Sequence, residues 1–500
     1  MFPKFPLVLA VYAVSLGVVG DLVSQRVAEP YMDEIFHIPQ ARRYCAGNFT
    51  EWDNKITTLP GLYVFSFGVL DPVFKVSAAL GLNIVTEDSR HEATLLNLCS
   101  TKMLRSVNLG FSIINVILLY TITSHLHGLK VNDWYDYKLN QYIHLSQESY
   151  SDTLGIWSSL NISLCPVLYF FSFLYYTDQV STAMVLLTLC LQMSGQPWLS
   201  AFSGLLSVLC RQTNIVWVFL CGALSAGDIL VTEVRCHQAA TKKPPTISLT
   251  TSGQLRELVI GTWDISRTWK LVRVLGLVIL KCGGYLVVGA AFLVFVRLND
   301  GVVVGDRSAH VVTTHLAQIL YFAAFFTALT LPFALRNIPE FIAFIKRNIL
   351  MAALSALVIL GIIHFNTLAH PYLLADNRHF TFYIWRRIIM RHEAIKYLGC
   401  PGYMFGLYHI GQSMAKSDLI FKLVLPLCVV INIVPQLLLE FRYFIIPYLL
   451  VRAQIKPNCW KSLAIESVMM ISVNFITLYA FLFMPFKWTS EPDSWQRFMW

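Results

Sequence analysis

Charge is what this sequence has least of: only 13% of its 500 residues are Asp, Glu, Lys or Arg, about half the share found in soluble globular chains. That excludes an ordinary water-soluble domain. Metal-finger and redox spacings are missing too, because the eleven cysteines occur singly, with no Cys-x-x-Cys. Neither a disulfide framework nor a structural zinc site can be read from them, and most are expected to be buried apolar side chains. No internal repeat, heptad or low-complexity tract is present. A multi-pass transporter, the strongest rival class for such a chain, therefore lacks the paired halves it should display; a non-catalytic regulator of other membrane proteins is the remaining alternative. The excess of 38 Lys and Arg over 29 Asp and Glu sits in short connections and not in one basic block or stripe. Topology and anionic lipid head groups account for it; nucleic acid does not.

What the chain has in abundance is apolar length. Hydrophobic residues make up 56% of it, with 33 Phe, 22 Tyr and 12 Trp, and the mean hydropathy is +0.58. Apolar runs near 5–23, 103–122, 154–173, 179–194, 274–296, 314–335, 348–366, 397–414, 420–439 and 462–484 read as spanning helices. An all-α polytopic membrane protein with roughly 12–14 spans is expected. The first run is expected to stay as a span, being long for a signal-peptide core and followed by no small-x-small cleavage site. Residues 59–82, interrupted by Asp71, Pro72 and Lys75, fit a span, a re-entrant helix or an interfacial helix. Residues 198–230 fit two short helices around the polar turn Arg211, Gln212, Thr213 and Asn214, and 443–451 is a short segment bounded by Arg442 and Arg452. The basic loop 231–273 belongs in the cytosol by the positive-inside rule, with a flexible linker from Lys242 to Pro245. Counting from it, with 59–82 not crossing, places the first loop, 24–58, and the Arg- and aromatic-rich loop 367–396 on the lumenal side.

That first loop holds the densest polar chemistry. Asp33 and His37 are four apart and Glu34 and His37 three apart, so one helical turn brings a carboxylate beside the imidazole. Pro39 fits the first position of a following helix that carries Arg42 and Arg43. A partly desolvated carboxylate at the membrane surface suits a general base. The same groups are legitimate ligands for a divalent ion, although their spacing does not specify one. The second constellation runs from His370 to Arg391 and includes Arg378, His379, Arg386, Arg387 and the rings of Phe380, Phe382, Tyr383 and Trp385. Arginines on the side where basic residues are scarce point to phosphate. Arg211 lies between apolar runs, so it belongs at a helix break facing a cavity or beside a carboxylate. Asp178 and the Glu440–Arg442 stretch read as structural pairs. Asn48 opens an Asn-Phe-Thr glycosylation triplet; the Asn161 triplet lies in an apolar run and is expected to be unused.

Six stretches, PYMDEIFHIPQARRYC, WDNKITTLPGLY, FLYYTDQVS, RQTNIVW, HPYLLADNRHFTFYIWRR and LLEFRYFIIPY, running in order from Pro30 to Tyr448, resemble the dolichyl-phosphate-glucose-dependent alpha-1,2-glucosyltransferases of N-glycan assembly. The resemblance implies a GT-C type fold in the endoplasmic reticulum membrane, with the acidic motif facing the lumen. It implies dolichyl-phosphate glucose as donor and Glc2Man9GlcNAc2-PP-dolichol as acceptor. The third and last glucose would join the 2-hydroxyl of the preceding one, with inversion from a beta-linked donor to an alpha-linked product. In that frame Asp33 is the expected base, Glu34 the alternate and His37 a positioning partner. Arg211, Arg378, His379, Arg386 and Arg387 are expected to bind substrate, the last four at the donor phosphate, with Trp52 and Tyr31 against sugar faces. No cofactor beyond the donor is implied.

Overall fold

The computed structural model describes residues 4–79, 99–128, 152–241, 251–267, 269–307, 312–457 and 459–500, and nearly all of their regular structure is helical. The linker at Lys242–Pro245 lies outside the described residues. Five helices are long and apolar enough to cross a bilayer: Lys4–Arg26, Thr101–His127, Gln212–Gln238, Lys270–Asn299 and Trp460–Phe483. A sixth candidate, Ala317–Leu329 with Leu331–Arg347, bends by 88°. The apolar helices Gly61–Val73, Pro197–Cys210, Ile349–Phe365 and Leu419–Ile433 are shorter.

Prolines explain why several apolar runs are broken helices and not single spans. The 154–173 run is Asp152–Ser163 followed by one turn, Pro166–Phe170, because Pro166 has no N–H for the preceding turn and starts the next one. Pro332 restarts the chain after Leu329 in the same way. Residues 198–230 form two helices, Pro197–Cys210 and Ile215–Ala240, around the expected polar turn, the second being long. Two expectations fail. The 231–273 connection is mostly helix, since Ile215–Ala240 runs into it and Thr251–Ser266 packs there through Val234, Ile265 and Val274. Pro39 starts no helix of its own; it lies inside Glu34–Cys45, where it costs only the bond to one carbonyl a turn earlier.

The two ends of the bundle differ in kind. At one, Lys4 donates to Thr153 at 3.1 Å and His127 meets the Ala453 carbonyl at 2.7 Å. At the other, Asp33 N donates to the Tyr176 hydroxyl, Arg211 to Thr177, Gln212 to the Thr57 carbonyl, and the Tyr31 hydroxyl to the Arg497 carbonyl. Cys45 and Cys99 are joined by a disulfide at this second end, a pairing that could not be read from the cysteine spacing. A pair 54 residues apart has no recognisable spacing; seven of the nine remaining cysteines are buried as expected. The chain from Cys45 to Cys99 therefore leaves and returns to the same end. Gly61 allows the close approach there, since a Cβ would sit 2.6 Å from the backbone of Leu209 and Cys210, and this seats the helix Gly61–Ala79 beside Arg211.

Between the ends runs a core of large rings, including Phe170, Phe171, Trp217, Phe326, Phe444 and Tyr448. A fully buried ion pair, Arg452 with Glu466, is joined by two bonds of 2.7 Å. Asn161 donates to the same carboxylate at 3.0 Å, so its glycosylation triplet is sequestered. Removing one partner of such a pair costs about 3–5 kcal/mol, whereas replacing both with apolar groups is close to neutral. Arg452→Met is therefore expected to lower the thermal midpoint of the purified protein, and Arg452→Met/Glu466→Leu to recover most of the loss. Equal midpoints for the two variants would contradict this.

Candidate active site

Asp33 and Glu34 are neighbours that the fold sends into opposite surroundings. Met32 takes a left-handed backbone with φ of 56°, which residues with a side chain seldom adopt, and Asp33 then stands just before the helix Glu34–Cys45 without a side-chain capping bond. Glu34 is fully buried. Its Oε1 accepts from Arg105 Nε at 2.8 Å and Tyr175 N at 2.6 Å, and its Oε2 from Arg105 Nη2 at 2.5 Å and Tyr31 N at 3.0 Å. Four donors fill the four lone-pair directions of a carboxylate, which leaves no room for an incoming hydroxyl. The Asp33 side chain is 49% exposed, and its Oδ2 lies 3.6 Å from Arg442 Nη1. Among the described residues no group donates a hydrogen bond to it.

Arg442 is the hub beside Asp33. Its guanidinium reaches Asp178 at 3.0 Å and Glu440 at 3.0 Å, and lies over the rings of Phe171 at 4.8 Å and Tyr176 at 5.0 Å. Asp178, fully buried, also meets Arg211 at 3.0 Å. Arg211 thus combines both sequence-based alternatives: it sits at a helix break and is paired with a carboxylate. Together Asp178, Arg211, Asn214, Asn432, Arg442 and Tyr443, with Trp217, Ile445 and Ile446, line a small cavity. Asp178 and Arg442 were read from the sequence only as structural pairs. Their signal was charge beside a helix break in an apolar run, which pairing across 264 residues completes only in three dimensions.

His37 stands behind Asp33 and not beside Glu34. Its Nδ1 is 2.6 Å from the Tyr63 hydroxyl, and its ring sits between Tyr63 and Tyr176. Trp52 packs edge-on against the same Tyr63 at 5.8 Å, so it supports the histidine. Tyr31 is held by its hydroxyl to Arg497 and by its ring to Phe481. Arg378 is bound to Asp376 at 2.8 Å, and His379 lies 3.7 Å from the same carboxylate. Arg386 and Arg387 are exposed, on a π-helical turn, and lie over the rings of Phe382 and Tyr383. The loop 367–396 is thus largely helical turns. Asn48 follows the helix Glu34–Cys45 at this same end, its Oδ1 accepting from Thr50. Among the described residues no three His, Cys, Asp or Glu side chains are grouped as a metal site requires.

The class of this polytopic helical bundle, a GT-C type glycosyltransferase, follows from the family its sequence matches. The sequence model of the DIE2/ALG10 family matches residues 27–453, and the chain belongs to that family. A Rattus norvegicus protein named Dol-P-Glc:Glc(2)Man(9)GlcNAc(2)-PP-Dol alpha-1,2-glucosyltransferase is 37% identical over 485 residues, covering 95% of this chain and 94% of its own. A Homo sapiens protein of the same name is 35% identical over 488 residues with the same coverage. One from Arabidopsis thaliana is 34% identical over 541 aligned positions, 98% of this chain and 99% of its own. No solved structure matches significantly.

Burial lowers the His37 pKa from 6.5 to about 4; Arg442 and Arg211 act in the same direction, against the attraction of Asp33. The unfolded chain takes up this proton first, so the folded state loses stability as pH falls from 6.5 towards about 4. Between about pH 5 and about pH 8 the folded imidazole stays neutral. The pH–rate profile of His37→Gln is expected to keep the wild-type inflections in that range. A wild-type inflection near 6.5 that disappears in the variant would contradict the assignment.

Proposed function

We propose that this chain transfers glucose from dolichyl-phosphate glucose to Glc2Man9GlcNAc2-PP-dolichol, forming the alpha-1,2-linked third glucose, with Asp33 as the base. The observation that carries the chemistry is the contrast between the saturated Glu34 and the half-exposed Asp33 beside Arg442. The acceptor 2-hydroxyl gives its proton to Asp33 as its oxygen bonds to the anomeric carbon. The bond from that carbon to the phosphate oxygen breaks on the opposite face, and its electron pair leaves with dolichyl phosphate. One displacement inverts the beta donor to the alpha product. The leaving phosphate is already a stable anion, so no general acid is needed.

Charge decides which cations serve the phosphate. Around Arg442 three carboxylates, Asp33, Asp178 and Glu440, face two guanidiniums, Arg442 and Arg211. That centre has a residual negative charge and suits a base more than an anion seat. Arg378 is neutralised by Asp376. Among the described residues Arg386 and Arg387 have ring partners and no carboxylate, and Tyr383 beside them meets Phe498 at the site end. The donor phosphate is therefore assigned to Arg386 and Arg387. Arg442 stands beside the base, and Arg211 shares Asp178 with it. The site faces the lumen of the endoplasmic reticulum: the Cys45–Cys99 disulfide belongs to an oxidising compartment, and the Asn48 triplet sits at the same end.

Purified protein supplied with donor and diglucosylated acceptor is expected to add one hexose. Asp33→Asn should reduce the rate by about 10² to 10⁴. Arg386→Gln/Arg387→Gln should raise the donor KM about tenfold, the equivalent of about 1.4 kcal/mol, with little change in kcat. No transfer by folded wild type would sink the reading, and an unchanged donor KM would remove the two arginines from it.

A further inference from the structure

The segment that follows the last long helix, residues 486–500, carries no motif that the reaction uses. It nonetheless makes contacts with three parts of the site. Phe486–Trp488 and Glu491–Gln496 pair as an antiparallel hairpin, and the chain then runs inwards, with Gln496 and Met499 buried. Arg497 anchors it to two helix ends. Its guanidinium donates to the carbonyls of Phe481 at 2.8 Å and Leu482 at 3.2 Å in the helix Trp460–Phe483, and to that of Arg26 at 3.1 Å. These are carbonyls that a helix end leaves unpaired.

From that anchor the segment reaches both flanks of the reacting pair. The Arg497 N–H donates to the Tyr31 hydroxyl at 2.8 Å, and that hydroxyl donates back to the Arg497 carbonyl at 2.9 Å; Tyr31 is two residues before Asp33. Met499 N donates to the Arg378 carbonyl at 2.9 Å and its own carbonyl accepts from Phe380 N at 3.0 Å, while His379 Nδ1 lies 3.0 Å from the Trp500 main-chain oxygen. Trp488 Nε1 donates to Asn377 at 2.7 Å. The Trp500 ring then meets Phe380 at 5.1 Å and Phe441 at 5.8 Å, and Phe441 is bonded to Arg442.

We propose that residues 486–500 are a strap that holds Asp33 and Arg442 in register, with Tyr31 and Trp500 as positioning residues at its two ends. The inference rests on the reading of Asp33 as the base. Asp33 and Arg442 come from opposite ends of the sequence and are 3.6 Å apart, beyond hydrogen-bond length, so their own contact does not fix the spacing. The strap ties Tyr31, two residues before the one, to Phe441, next to the other, and is itself fastened to two helix ends. Misplacement of a reacting group by about 1 Å costs on the order of 10² in rate, and it acts on kcat because substrate contacts are left in place.

The test compares wild type with Tyr31→Phe, Trp500→Ala, Trp500→Phe and Asp33→Asn for kcat, both KM values and thermal midpoint. Tyr31→Phe keeps the ring on Phe481 and removes only the two hydroxyl bonds. Expected are kcat values about tenfold down in Tyr31→Phe and Trp500→Ala, KM values within about twofold, wild-type midpoints, and recovery in Trp500→Phe. Should Trp500→Ala fail to fold, Tyr31→Phe decides alone. Wild-type kcat in folded Tyr31→Phe with Asp33→Asn inactive overturns the strap alone. A loss in Trp500→Ala that Trp500→Phe does not restore also overturns it. Full transfer by Asp33→Asn overturns the base reading, and the strap with it.

Discussion

The ion pair between Glu34 and Arg105 is the constraint on which the site is built. Both side chains are buried, with exposures of 0% and 3%, and burying two charges is tolerable only when every lone pair and N–H finds a partner. Here they do. Arg105 also donates to the carbonyls of Val27 and Glu29, while Glu34 accepts from Tyr31 and Tyr175. One pair thereby fixes the end of the first helix, the turn into the second, the helix Thr101–Gly128 and the irregular segment after Phe171. Once Glu34 is committed inwards and Met32 turns the backbone, Asp33 has only the outer face left, towards Arg442.

The second layer of the site follows from cost at depth. Asp178 and Arg442, fully and largely buried, would each be prohibitive alone in an apolar bundle. Together with Arg211 and Glu440 they form a chain of ion pairs, backed by the adjacent rings of Phe171 and Tyr176 over which Arg442 lies. Such a network holds its members in one geometry, which a base acting in a single displacement requires. In the proposed mechanism the phosphate falls to arginines outside the network because those inside are already matched by carboxylates.

Much of this was legible in the sequence, for physical reasons. Low charge and long apolar runs announce a membrane bundle, and the Asp33–His37 cluster stands out because polar chemistry is rare in such a chain. The polar turn at Arg211 announced a helix break for the same reason. The partnership of Asp178 with Arg442 was not legible, since pairing over 264 residues leaves no local pattern. Nor was the Cys45–Cys99 disulfide, whose partners follow no spacing rule. Composition could not separate the roles of Asp33 and Glu34 either, because adjacent carboxylates look alike until a buried arginine claims one of them. Pro39 misled for a different reason: a proline that starts a helix and one tolerated inside it have the same neighbours in sequence.

The proposed mechanism stands or falls on that division between adjacent carboxylates. The most direct measurement takes kcat and thermal midpoint together, in the same preparations, for Asp33→Asn and Glu34→Gln. The account predicts that Asp33→Asn keeps the wild-type midpoint and loses transfer, while Glu34→Gln, with one of its acceptor oxygens replaced by a donor amide, loses stability and keeps most of its kcat in the fraction that remains folded. A Glu34→Gln protein with a wild-type midpoint and no transfer, beside an active Asp33→Asn, would contradict it.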